Sequence, residues 1–290
     1  MKSMKHTIGL FLVCASLPGL AHAQPVEPLA VYGTQLDVDV SGNLFILDSR
    51  SATLMLYDAS MHKIATAGGP GWENGRFDQA AGLWARNGLD VLVADYGNHR
   101  IQRFDRTLSF VSALSTRESE DPSVRFGYPS SVALSRLGEL YLCDTENSRI
   151  VKVNSSNQVE IGFGGFGAGE GRLEHPQRVA LGANDWVYVL DPPRVLVYDG
   201  FGNYLTRLPE GILAHPSVLF ADAKGCMVLD GDTLLFFDVA QHPTLAVRVE
   251  TLTGRPDASV SSAVIAGERL YLLSGEGLFI VPDPRISRGR

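Results

Sequence analysis

The sequence predicts an all-β chain built as a closed ring of repeats, on three observations. The first is self-similarity. Four segments end in an apolar run closed by aspartate: Leu44–Asp48, Val91–Asp95, Leu140–Asp144 and Val187–Asp191. A fifth copy is Met227–Asp230, and a sixth, Leu270–Ser274, carries serine in the aspartate position. Successive copies are 47, 49, 47, 39 and 44 residues apart. The second observation is the grammar within each copy. Short runs rich in Val, Leu, Phe and Tyr are bounded by Gly, Asn, Asp and Ser, which is the signal of strands and turns, and no segment sustains a helical period. The third is a missing piece. The sixth copy stops after Leu278–Val281, whereas the chain carries an orphan strand, Leu29–Tyr32, ahead of the first copy. Six units of roughly 45 residues match six four-stranded antiparallel blades of a β-propeller. The orphan strand is expected to complete the last blade and tie the ring, since open strand edges would otherwise flank the seam.

Each element follows in order. An apolar run such as Ser131–Leu134 leads to a turn such as Ser41-Gly42-Asn43 or Arg136-Leu137-Gly138. The strand ending in aspartate comes next, then a polar turn, then a strand such as Arg100–Phe104 or Arg149–Val153. A last strand lies near Val159–Gly162. A parallel βαβ reading fails because no connection is long and apolar enough for a crossover helix.

The N-terminus reads as a leader. Lys2 and Lys5 precede an apolar stretch from Ile8 to Leu20, followed by Ala21-His22-Ala23, the small-x-small pattern of a cleavage site. A signal peptide over 1–23 with cleavage after Ala23, a single domain over 24–290 and a periplasmic or secreted location are therefore expected. Lipidation at Cys14 is disfavoured because Val13 stands where a small residue is needed. The apolar stretch is too short to span a bilayer, so no membrane-spanning segment is expected. Removing residues 1–23 takes two of the 25 basic residues and none of the 32 acidic ones, leaving a net charge of −9. Such a chain lacks the positive footprint that binds phosphate backbones, which argues against a nucleic-acid partner. The two remaining cysteines, Cys143 and Cys226, occupy different repeat positions and read as small buried hydrophobes; an oxidising compartment would also permit a disulfide.

Two copies carry a fuller motif, Asp95-Tyr96-Gly97-Asn98-His99-Arg100 and Asp144-Thr145-Glu146-Asn147-Ser148-Arg149. With Phe126–Pro129 and Leu173–Pro176, each leading into a Val-Ala strand, they resemble the NHL repeat: aspartate, asparagine three residues on, arginine two beyond. The resemblance is strong in repeats two and three, moderate in four and degenerate in one, five and six. It implies a bacterial, exported six-bladed propeller. Asp95, Asn98, Arg100, Asp144, Asn147 and Arg149 invite a catalytic account. A pattern that recurs at the same blade position is better suited to knitting turns or neighbouring blades through charge-assisted hydrogen bonds.

Candidate ligand contacts are the residues entering the innermost strands: Gln79, Tyr128, His175 and His215, with Asp37 and Arg178 nearby. Turn-capping is the plainer alternative for the two histidines, and two histidines alone do not specify zinc. Two glycine-rich stretches, Gly68–Phe77 and Gly162–Leu173, join successive blades. The second matches G-x-G-x-x-G, but no helix follows to make a dinucleotide site. Trp72 in the first stretch is a candidate partner anchor, with simple ring packing as the alternative.

Two functions compete. One is a non-catalytic scaffold that binds a protein, peptide or small ligand, with no cofactor. The other is a propeller hydrolase of lactonase or lyase type with calcium in the channel. At the inner-strand positions where such enzymes hold metal, this chain offers only Asp37 and Asp39. The other blades present Gly82 and Trp84, Ser131 and Ala133, Arg178 and Ala180, Ser217 and Leu219, Ala263 and Ile265. One acidic strand cannot supply the six to eight oxygens calcium prefers, so no metal site is expected.

Overall fold

In the computed structural model, which describes residues 25–286, the chain forms six antiparallel sheets in a ring. Blade 1 comprises Gln35–Val38, Leu44–Asp48, Thr53–Tyr57 and Lys63–Gly68; blade 2 comprises Ala80–Trp84, Asp90–Asp95, Arg100–Asp105 and Phe110–Leu114. Blade 3 runs through Pro129–Leu134, Leu140–Asp144, Arg149–Val153 and Val159–Phe163; blade 4 through Arg178–Leu181, Val187–Asp191, Arg194–Tyr198 and Tyr204–Arg207. Blade 5 holds Pro216–Asp222, Gly225–Asp230, Thr233–Phe237 and Pro243–Arg248, and blade 6 holds Val260–Ala266, Arg269–Ser274 and Gly277–Pro282. The first strand of every blade is innermost. Each contacts the first strands of the blades on either side, and blade 6 meets blade 1.

Burial explains the sequence pattern strand by strand. Second strands are covered on both faces by neighbouring blades, so Leu44–Leu47 and Val187–Asp191 are buried throughout and read as continuous apolar runs. Fourth strands are outermost: Tyr204–Arg207 alternates between half-buried and exposed positions, and Val159–Phe163 does so until it ends on buried Phe163. Tyr141, Tyr188, Tyr198, Phe45 and Phe236 fill the spaces between blades.

The ring closure takes a reduced form. Blade 6 has three strands, and the expected N-terminal strand contributes a single antiparallel bridge. The Leu29 N–H donates to the Leu278 carbonyl at 2.8 Å, and the Leu278 N–H donates back at 3.0 Å. Around it, Val26 N–H reaches the Thr253 carbonyl at 2.9 Å, Glu27 pairs with Arg255 at 3.0 Å, and Val31 is buried against the blade 6–blade 1 core. A five-residue helix, Val249–Thr253, follows the last strand of blade 5. Its brevity hides it from any periodicity reading. Cys143 and Cys226 are free and buried, and burial pushes the Cys143 thiol up to about 12. The leader segment and Cys14 lie outside the described residues.

Candidate functional site

The twofold alternation of strand direction gives the ring two different faces. Residues that lead into the first strands lie on one face, and the turns between first and second strands lie on the other. On the entry face each repeat aspartate ties down the loop of its own blade. Buried Asp95 accepts hydrogen bonds from Asp78 N–H at 2.8 Å, Asn98 Nδ2 at 2.9 Å, Arg100 Nε at 2.7 Å and Gln102 Nε2 at 3.0 Å. Arg100 Nη2 extends the tie to the carbonyls of Glu73 and Arg76, both at 2.9 Å, in the glycine-rich linker. Asp144 repeats the arrangement with Gly127 N–H at 3.1 Å, Asn147 at 2.8 Å and Arg149 Nε at 2.9 Å, and Arg149 Nη2 reaches the Arg125 carbonyl at 2.6 Å. In blade 4, Asp191 accepts from Glu174 N–H at 2.9 Å and from Arg194 at 2.6 Å.

The same aspartates account for the histidines. The backbone N–H of His175 donates to Asp191, and that of His215 to Asp230. Both imidazoles are exposed, as is Gln79. Tyr128 packs on His99, ring centroids 4.1 Å apart, and on Tyr96 at 5.1 Å, while Tyr128 N–H donates to His99 Nδ1 at 3.1 Å. Trp72 is 77% exposed. Gln79, Tyr128, His175 and His215 therefore occupy the entry face without joining one concavity.

The concavity is the central channel, about 1270 Å³, lined from the level of Gln35, Gly82, Ser131 and Arg178 through to the turns of the opposite face. Of the six candidate contacts, it takes in only Asp37 and Arg178. Asp37 is buried, and its carboxylate is fully occupied. It accepts from Val38 N–H at 3.0 Å, Ala85 N–H at 2.9 Å and Arg86 Nε at 3.2 Å. Burial nonetheless holds its pKa above the ordinary value, against the pull of Arg86. Asp39 is committed to its own turn, taking Ser41 N–H at 2.8 Å, Asn43 N–H at 2.9 Å and Asn43 Nδ2 at 2.8 Å. Among the described residues no group of three or more His, Cys, Asp or Glu side chains is placed to hold a metal ion.

Sequence reasoning missed Arg86, which crosses to the Ala221 carbonyl of blade 5 at 3.0 Å and stacks its guanidinium on Phe220 at 4.5 Å. It also missed an apolar arc on the exit face. Val40, Leu89 and Leu137 sit at the first turns of blades 1, 2 and 3, exposed by 81%, 68% and 72%. Their signal was available, since apolar residues at turns otherwise made of Gly, Asn, Ser and Asp are out of place.

Six four-stranded or near-four-stranded blades about a channel of ligand size define the class: a six-bladed β-propeller. The NHL repeat family matches residues 77–104 and 126–153, so blades 2 and 3 carry the NHL repeat. A 109-residue stretch is 28% identical to Protein brain tumor of Drosophila melanogaster, a match over 36% of this chain and 10% of that protein. Among solved structures, a streptogramin B lyase superposes with a TM-score of 0.61 at 11% identity, covering 89% of this chain and 86% of the lyase. A gluconolactonase from Xanthomonas campestris gives a TM-score of 0.63 at 13% identity, covering 90% and 96%. At such identities these two likenesses concern the fold alone. No helix among the described residues is long and apolar enough to cross a membrane.

Proposed function

We propose that this propeller is a non-catalytic binding module, exported from the cell, that takes a ligand into its central channel from the face bearing the first turns of each blade. The observation that carries this reading is the state of the channel carboxylates. Asp37 is closed off by two backbone N–H groups and Arg86, and Asp39 by its own turn. A calcium-dependent lactonase or lyase needs several free oxygens converging on one point, whereas these two acidic side chains are already satisfied. The channel walls are mixed, with Leu83, Trp84 and Leu181 beside Ser131, Arg86 and Arg178. A large concavity with few convergent polar groups is the ordinary form of a ligand site.

Native mass spectrometry of the purified protein after exposure to a mixture of small organic acids, sugars and short peptides tests the reading. Adducts are expected on the wild type and lost in Leu181→Trp, which fills a half-exposed channel position. Elemental analysis discriminates the alternative reading, a metal-dependent propeller hydrolase. A stoichiometric divalent ion together with turnover of a lactone would replace the binding-module reading. The exported location predicts a mature chain beginning at Gln24, and N-terminal sequencing of the protein from its native host checks it.

A further inference from the structure

Arg178 opens the first strand of blade 4 and stands at the entry-face end of the cavity lining, level with Gln35 of blade 1. Inner strands pair on one side only, so their edge carbonyls face inward. Arg178 Nη1 donates across the ring to the Ala81 carbonyl of blade 2 at 2.9 Å, with a longer contact to the Ser130 carbonyl of blade 3 at 3.5 Å. Its Nε and Nη2 donate to nothing among the described residues, and neither is sealed away from the cavity.

The guanidinium also lacks a counter-ion. Arg86, by contrast, is neutralised by Asp37 at 3.2 Å, and the lining carboxylate Asp222 is held by Arg285 at 2.9 Å; Arg136 and Arg269 line only the exit-face turns. Arg178 forms no ion pair among the described residues. Burial disfavours its charge and lowers its pKa. A half-buried guanidinium with a free two-donor edge at the end of a cavity is the geometry that receives a planar carboxylate through two parallel hydrogen bonds. A phosphate dianion would call for a second free cation at that depth, and Arg86 is already held.

Resting on the channel reading above, we propose that the ligand is a small amphiphilic monocarboxylate, its carboxylate on the Nε–Nη2 edge of Arg178 and its apolar body along Leu83, Trp84 and Leu181. The exposed Val40 and Leu137 at the rim extend that apolar path outward. Of the acidic residues that line the channel, Asp39 and Asp222 are each bound within the protein, while Asp185 and Glu268 lie on the exit-face turns, the level of Arg136 and Arg269 and far along the strands from Arg178.

The test is calorimetric titration of the full mature protein with hexanoate and with hexanamide, which match in shape and differ in charge. Hexanoate is expected to bind at least about tenfold more tightly, the size of a charge-assisted hydrogen bond. Arg178→Gln is expected to abolish that preference and Arg178→Lys to retain part of it, with circular dichroism and melting confirming the fold of each. Equal binding of the two compounds overturns the proposal even if Arg178→Gln fails to fold. Retention of the preference in a folded Arg178→Gln also overturns it. If the two bind equally and Leu181→Trp blocks both, the channel remains the ligand site and only the carboxylate assignment falls. Binding indifferent to Leu181→Trp, or no binding at all, removes both.

Discussion

Asp95 shows how one buried carboxylate can organise a blade. It gathers a backbone N–H, an amide, a guanidinium and a second amide, all within 3.0 Å. Asp95→Ala leaves Arg100 without its partner in a buried setting, and a loss of about 3–5 kcal/mol is expected. Urea or guanidinium unfolding measures it, and a loss below about 1 kcal/mol would show that the motif is not holding the linker. His99 supplies a pH-dependent counterpart. Burial holds its imidazole below the ordinary 6.5, with Arg117 adding to the effect, and neutral Nδ1 accepts the Tyr128 N–H. The folded state thus binds fewer protons at this site than the unfolded chain does. The stability it contributes is complete above pH 6.5 and declines as pH falls from 6.5 toward the folded value. An NMR titration of the His99 ring should give a midpoint below 6.5; a midpoint at or above it contradicts the buried acceptor role.

Elements are joined by close approach as much as by hydrogen bonds. At Gly82 a Cβ would lie 2.8 Å from Ser131 Cα and 3.0 Å from the Ser130 carbonyl, so the inner strands of blades 2 and 3 meet where no side chain fits. Gly82→Ala should cost about 1–3 kcal/mol as the two strands are pushed apart, read from the denaturation midpoint; a neutral result would mean that blade spacing is adjustable. The seam is the other junction. A single bridge at Leu29, the Glu27–Arg255 pair and buried Val31 hold blade 6 to the start of the chain. Deleting residues 24–33 is expected to lower the melting temperature of the whole ring, because an opened seam exposes strand edges and the core between blades 6 and 1. An unchanged midpoint would show that inter-blade packing alone closes the ring.

At the scale of the whole molecule, the two faces have different tasks. The entry face is stitched by Asp95, Asp144, Asp191 and Asp230, each bonded to its own incoming loop, and His175 and His215 are exposed on it. The exit face opens the channel and carries the apolar arc of Val40, Leu89 and Leu137. Labelling with a thiol reagent offers a check on the ring as a single packed unit. Cys143 and Cys226 are buried in different inter-blade cores, so both should resist modification in the folded protein and react together on unfolding. Fast modification of either one in native conditions would reveal a blade that opens by itself.

The sequence by itself determined the number of blades, the order of their strands and the identity of the repeat. These are properties of local pattern: apolar runs of strand length, turn residues at fixed offsets, and an aspartate that returns in five of the six blades. Blades 2 and 3 were plainest because their Asp-Asn-Arg spacing is intact. The short helix after blade 5 escaped because five residues carry no period, and the closing strand shrank to one bridge because its pairing depends on blade 6 rather than on its own residues. The channel was the part that only tertiary structure decided. Gln79, Tyr128, His175 and His215 share a repeat position, which fixed their face but not whether that face is concave. Asp37 and Arg178 also fall at different levels of their strands: Arg178 pairs with Leu190 and is level with Gln35, whereas Asp37 pairs with Phe45 and is level with Ala180. The fold brings Arg86 of the next blade to Asp37 at 3.2 Å and, among the described residues, brings no carboxylate to Arg178. Which charge is neutralised and which is left open is a matter of contacts between blades, and those join residues 49 and 97 positions apart.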